Sequence, residues 1–429
     1  MTMKRRLGHL LWVGIALMLC GPLTASAAEL SIKSDTLFRA FSRDTVTEND
    51  AAVLPIYEYL QVDMENSGAK GFSLHLYGWG RGDLADNNYY TDSTAGELLY
   101  GYAEYNHEQA HFNARLGRQY IFEGVANESL DGLRLSSDLG KYFSGSVYAG
   151  QQVALASENG RSGDSIYGGR LANRMAGIYD LGLSYKKIRN DSTDVEEMAG
   201  LDLAAYLPHN INLHGFSSYN LDSSAWAEHS YELSASIGPV SIRPYFQRFQ
   251  YEDYFGTAAN SANPFRFLAA SGEELTILGT DLTLPMGDAW RFVAKAKNYD
   301  YKVFSDSSQY FSGQATWSGS EHGQIGGEIG TMLGDTAQND YYLLRLFTYW
   351  GQLSDSIPVD FISSDLIYVG YDQSIYGEDS SLFLSLGTGK KFMENALELK
   401  LSADYSKDPY FDADLRGMLT ASYSFGKSL

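Results

Sequence analysis

The stretch ALELKLSADY, residues 396–405, sets Leu397, Leu399, Leu401, Ala403 and Tyr405 on one side of an extended chain and Glu398, Lys400, Ser402 and Asp404 on the other. A period of two is a strand signature. Two architectures use such a strand in opposite senses: a soluble sandwich turns the apolar side into its core, whereas a sheet closed on itself within lipid turns that side out and keeps the charges inside. The connections between similar segments decide the matter. Short ones (residues 106–111, 138–141, 174–177, 208–210, 238–239, 285–288 and 393–395) alternate with long ones (80–96, 121–129, 153–165, 189–197, 252–274 and 405–414). An up-and-down barrel, with tight turns on one rim and loops on the other, produces that order; a sandwich has no reason for it.

Counting back from LRGMLTASYSF (415–425) gives 21 alternating segments, the earliest being YEYLQVDM (57–64). Chains of this type start and finish on the same side with an even strand count, so TLFRAFSR (36–43) becomes the first strand and the total about 22, between about 20 and 24. The expected fold is all-β: a transmembrane antiparallel up-and-down β-barrel with short periplasmic turns and long extracellular loops. The segments are near the roughly 9–11 residues a spanning strand needs. Their wet face carries Arg115, Arg134, Asp202, Glu232, Arg243, Arg291, Lys295, Lys297, Glu398, Lys400 and Asp404, too many charges for a packed core and normal for a water-filled lumen. Phe112, Ala114 and Leu116, or Phe292, Ala294 and Ala296, alternate with them as lipid-facing residues. Tyr77, Trp79, Tyr120, Tyr185, Trp290, Tyr349, Trp350 and Tyr423 are expected to form girdles at the interfaces.

The first 28 residues read as a secretory signal peptide: Lys4, Arg5 and Arg6, an apolar stretch from Leu10 to Cys20, then Gly21-Pro22 and the small residues Ala25 to Ala28. Residues 29–429 then form one barrel domain. Cys20 is the sole cysteine and lies in the leader, so the mature chain offers no disulfide, no cysteine-ligated zinc and no haem attachment site; no cofactor is expected. Losing the three leader cations leaves 29 Lys and Arg against 53 Asp and Glu, a balance of −24, which excludes nucleic acid as a natural partner. The mean hydropathy of −0.26 and the lack of a mature apolar run of about 18 residues exclude a helical membrane protein.

Motifs that suggest chemistry lack the context it requires. HEQAH (107–111) matches H-E-x-x-H, but it occupies a turn with no room for the helix that gives the spacing its meaning. GTGKK (387–391) has Leu384 where a phosphate-binding loop needs glycine and Lys391 in place of Ser or Thr. RGD at 81–83 is too short a match to carry meaning. A lipolytic barrel needs Ser, His and a polar third group together on its outer face. The histidines are scattered, so no enzymatic activity is expected.

Gly117, Arg118 and Gln119, followed after a loop by Asp131, Gly132, Leu133, Arg134 and Leu135, resemble a hairpin of alginate-export-type porin-like barrels. Arg115 and Arg134 would point inward on adjacent strands there, with Gly117 and Gly132 allowing a close backbone approach or a bulge. Leu419, Ala421, Tyr423 and Phe425 resemble the C-terminal signal that Gram-negative outer-membrane barrels present to the barrel-assembly machinery, although GKSL follows the aromatic residue. The chain as a whole is similar in style to channel barrels of anaerobic metal-respiring bacteria, some of which sheath multihaem cytochromes.

The expectation is therefore an integral outer-membrane barrel embedded in lipid, passing small hydrophilic solutes or ions by passive diffusion through a charged lumen. Two other readings stand beside it: a scaffold insulating a partner multihaem cytochrome, and a polysaccharide export channel, which needs a continuous basic stripe. The loop 252–274 either constricts the pore or stands in solvent; long loops favour the second. A homo-oligomer is left open.

Overall fold

The structure is a computed structural model and describes residues 29–43, 50–66, 71–85, 89–153, 165–190, 193–251, 272–303, 305–320, 323–334, 340–353 and 357–428. Residues 1–28, expected as a leader, and most of the 252–274 segment lie outside the described residues. The first half of the wall consists of β1 (Glu29–Arg43), β2 (Ala51–Val53), β3 (Pro55–Glu65), β4 (Phe72–Asp83), β5 (Thr94–His107), β6 (Phe112–Glu123), β7 (Ala126–Leu139), β8 (Phe143–Gln152), β9 (Ser165–Met175), β10 (Tyr179–Asn190) and β11 (Thr193–Leu207). The second half runs through β12 (Ile211–Asn220), β13 (Ala225–Ile237), β14 (Val240–Gln250), β15 (Glu274–Met286), β16 (Trp290–Tyr301), β17 (Asp306–Ser320), β18 (Gly323–Gly334), β19 (Tyr341–Gly351), β20 (Phe361–Ile375), β21 (Glu378–Phe392), β22 (Leu397–Asp408) and β23 (Phe411–Ser428).

β2 and β3 are two pieces of one strand, interrupted at Leu54, and both pair with β1. The 23 segments therefore make 22 barrel strands. Every successive pair is antiparallel, and β1 closes the sheet by pairing with β23 from Glu29↔Ser428 to Ala40↔Gly417. Closure leaves no edge, so each strand finds both its backbone partners within the wall. All 22 expected strands are present. The first is longer than 36–43, because Glu29–Ser31 pair with Gly426–Ser428, the tail beyond Phe425.

Alternation sorts the faces as expected. Leu116, Leu183, Ile329 and Leu401 stand exposed on the outside, Ile329 at 67%. Such a belt is stable against lipid rather than water. Rim lengths depart from the expected alternation in places. Residues 121–129, 189–197 and 405–414, expected as long loops, are mostly strand: β6 and β7 are joined at Gly124-Val125, β10 and β11 at 191–192, and β22 and β23 at Pro409-Tyr410. At 189–197 and 405–414 polar residues on both faces mark wall that has risen clear of the apolar belt, whereas 121–129 turns inward onto the inner face of β8 to β10; in all three the sequence pattern reads as loop. On the opposite rim, 352–360 is longer than its neighbouring turns.

Candidate functional site

A barrel of 22 strands, spaced about 4.8 Å and tilted about 40°, encloses a backbone cylinder roughly 40–45 Å across. Side chains of the wall cannot by themselves narrow such a bore to molecular width. The β6–β7 hairpin projects into it. Gly117 has φ +129°, and a Cβ there would lie 2.3 Å from the carbonyl oxygen of Gly101; at Gly132 it would lie 2.2 Å from that of Ala149. Both positions demand glycine; β6 parts from β5 after Arg118 while β7 stays paired with β8 as far as Leu130, and the rest of the hairpin lies across the inner surface of β8 to β11.

Contacts along this arm fix its position. Ile121, Ala126 and Leu130 are buried with Tyr148, Ile166 and Ile188, which share the lumen-facing side of β8, β9 and β10. The Gln119 amide folds back to donate to the carbonyls of Arg115 (3.3 Å) and Gly132 (3.2 Å). At the tip, the Val125 amide donates to Ser184 Oγ at 3.1 Å, three strands away from β7. Glu123 accepts from Arg134 Nε at 2.7 Å and from the Ser146 hydroxyl. Tyr120 and Phe122, on the arm's other face, remain exposed.

Ion pairs clamp the arm and the wall beneath it. Lys186, 4% exposed, bridges Glu128 on the arm (2.9 Å) and Glu196 on β11 (2.7 Å). Arg170 reaches Asp202 (2.5 Å) and Asp180 (3.0 Å). Arg115, directly opposite Arg134 in the ladder, is held 2.9 Å from Glu104. Two like charges side by side are tolerable because each has its own carboxylate.

Following the register round the barrel puts all eleven expected pore-lining residues on this same inner face. They do not form one site. Arg115, Arg134 and Asp202 gather at the arm, whereas Glu232 and Arg243 (3.9 Å), with Asp281 2.6 Å from Arg243, lie on the β13–β15 wall. Lys295 meets Glu328 at 3.2 Å, Lys297 lies 6.0 Å from the Tyr310 ring, and Arg291 shares that strand face. Glu398, 3.9 Å from Lys391, stands with Lys400 and Asp404 on β22. Sequence reasoning missed Glu123, Glu128, Arg170 and Lys186. Parity alone would have placed Arg170 and Lys186 inside; the two glutamates fell in a segment read as an outer loop.

Four residues assigned to the outer girdles lie elsewhere: Tyr77, Trp79 and Tyr349 belong to the lumen face, and Tyr120 stands on the arm inside the bore. Tyr77, Trp79 and Tyr349 have the parity of the inward charges, and Tyr77 lies in the middle of β4. HEQAH forms a single 3-10 turn at Glu108–Ala110, with His111 at φ 48°, and among the described residues no group of three potential metal ligands converges. One Ser–His contact escaped the sequence: Ser217 Oγ and His229 Nδ1 are 2.8 Å apart on the outer face. Ser217 is 3% exposed and also lies 2.6 Å from the Tyr231 hydroxyl, so its oxygen is enclosed rather than presented to a substrate.

No protein-family model and no curated protein matches the sequence. Among solved structures, the chain is similar to OccAB4 of Acinetobacter baumannii (TM-score 0.46, 9% identity, covering 95% of this chain and 100% of that one). It is similar to OccK2 of Pseudomonas aeruginosa, solved with glucuronate (TM-score 0.46, 12% identity, 94% and 98% covered). A BenF-like porin from Pseudomonas fluorescens gives a TM-score of 0.46 at 11% identity, with 94% and 99% covered. The likeness is one of barrel architecture, and the function of this chain is argued from its own lumen.

Proposed function

We propose that this chain is an outer-membrane diffusion channel for small hydrophilic solutes, constricted by its own β6–β7 hairpin. The observation that carries this reading is the arm docked against the inner wall of a closed barrel whose outside is apolar and whose inside is charged. The outer belt calls for lipid, and the paired inner charges call for water. Passive flux follows from geometry: the arm reduces the free cross-section, and mixed rings of Arg, Lys, Asp and Glu weigh the charge of what passes. Arg115, Arg134, Arg243 and Lys295 each hold a carboxylate, so the inner field alternates in sign instead of forming the basic stripe that export of an acidic polysaccharide needs.

Single-channel recording of the refolded barrel in a planar bilayer, under a salt gradient, tests the proposal. Steady openings with a modest cation-selective reversal potential are expected, in keeping with the excess of carboxylates. A barrel that stays silent, and leaves native membranes with a haem protein inside it, overturns diffusion in favour of an electron-conduit scaffold.

A further inference from the structure

Away from the arm, the lumen carries a second organised feature. On β3, β4 and β5 the inward positions are occupied by Tyr57, Tyr59, Tyr77, Trp79, Tyr100 and Tyr102. Their rings form a chain: Trp79 lies 6.2 Å from Tyr57, Tyr57 6.5 Å from Tyr59, Tyr59 6.4 Å from Tyr77, Tyr77 5.4 Å from Tyr100, and Tyr100 5.8 Å from Tyr102. At the outer end the Tyr57 hydroxyl meets that of Tyr90 at 3.1 Å. At the inner end His75 stacks on Tyr102 at 4.9 Å. From Trp79 to His75 the lane descends four residues of β4, about 13 Å, and it ends where Arg115, at the root of the arm, lies 5.3 Å from the Tyr102 ring.

Aromatic rings of this kind belong in a core or an interfacial belt. Here they are half-buried and face the water-filled side, spanning neighbouring strands without a gap. We infer that the lane is a binding track for uncharged oligosaccharides moving from the outer mouth to the constriction. This deepens the diffusion-channel reading and rests on it for the direction of travel. A sugar ring has a flat C–H face and a rim of hydroxyl groups; a tyrosine offers the matching flat face with a hydroxyl at its edge. The polar flank is in place: Asp63 receives Gln61 Nε2 at 2.6 Å and meets His75 Nδ1 at 2.7 Å.

Charge argues for a neutral ligand. Lys33, Arg39, Arg81 and Arg115 share the lane's face with Asp35, Asp63, Glu97 and Glu104, four charges of each sign. Arg115 is held by Glu104, and Arg81 lies 3.7 Å from the Tyr90 ring while donating to the Asp92 carbonyl at 2.9 Å. Lys33 lies 3.1 Å from Asp35 and Arg39 5.5 Å from the Tyr57 ring, so an aromatic carboxylate would stack as well but would find these cations already engaged.

The test titrates the purified barrel in detergent with maltohexaose and cellohexaose by calorimetry, and applies the same sugars to the bilayer channel. Poly(ethylene glycol) of similar mass and benzoate serve as comparison solutes. Expected are saturable heat with at least one sugar and a reversible sugar-dependent block that the polymer does not reproduce. Tyr77→Leu should weaken binding about fivefold or more, while Tyr77→Phe retains it. Heat-modifiable gel mobility verifies that each variant forms a barrel; if Tyr77→Leu does not, Tyr100→Leu takes its place. Binding of neither sugar, benzoate binding in their stead, or equal affinity in the leucine and phenylalanine variants overturns the inference. Conductance without sugar binding sinks the track alone, whereas sugar binding to a silent barrel sinks free diffusion and leaves the track.

Discussion

At the scale of single residues, Glu123 and Arg134 hold the arm as partners of opposite charge, and losing either should free it. Each loss leaves a half-buried ion without its partner, at a cost of about 1–3 kcal/mol. Glu123→Gln and Arg134→Gln are both expected to raise single-channel conductance and current noise. Their reversal potentials should move in opposite directions, toward anions when the carboxylate goes and toward cations when the guanidinium goes. A shared shift in one direction would mean that the arm, not the local charge, sets selectivity. Lys186 lies deeper, between Glu128 and Glu196. Lys186→Met leaves two enclosed carboxylates facing one another, a loss of the order of 3–5 kcal/mol. The temperature at which the barrel unfolds, read from its gel mobility, should fall clearly in this variant.

At the scale of elements, the arm is the piece least legible in the sequence. Arg115 and Arg134 were readable as inward neighbours, and Gly117 and Gly132 as a place of close backbone approach. Nothing in the pattern told that the chain bends there, because a bend is a property of backbone contacts between β5, β6, β7 and β8 rather than of any one segment. The apolar residues Ile121, Ala126 and Leu130 are sparse between Glu123, Asn127 and Glu128, and such a mixture looks like a solvated loop until a wall is placed beneath it. The docked position has a direct test, since residues 29–429 contain no cysteine. Gly124→Cys with Ser184→Cys puts two thiols together, since a Cβ at Gly124 would fall 2.3 Å from the Ser184 Cβ. That is closer than the roughly 3.8 Å of a relaxed bridge, so the tip must yield slightly. Oxidation is expected to cross-link the pair and to quiet current noise without abolishing conductance. An arm that stands outside the lumen gives no cross-link.

At the scale of the whole molecule, period-two alternation and the parity of the strands were enough to count 22 strands and to decide which face is wet, because both are set by covalent geometry and by lipid. The aromatic lane was hidden because Tyr77 and Trp79 were read as girdle residues by their aromatic type, although their parity along β4 already turns them inward. The four residues after Phe425 departed from the usual C-terminal signal, and the alternation assigned them no part in closing the barrel. Gly426, Lys427 and Ser428 pair with Ser31, Leu30 and Glu29, so the tail extends the seam on which the first and last strands meet. Deleting residues 426–429 removes those pairs and leaves the backbone of Glu29–Ser31 without its β23 partner, although β3 still covers its other side. The seam is the last contact a barrel makes and the place where an open edge would first appear. The truncated chain is therefore expected to close more slowly in lipid vesicles and to unfold at a lower temperature, while a closed population keeps the conductance of the full chain, since the arm that narrows the bore lies five strands from β23 round the wall. Unchanged rate and heat resistance would show that the pairing up to Phe425 suffices, and that the final residues ride on the seam without holding it.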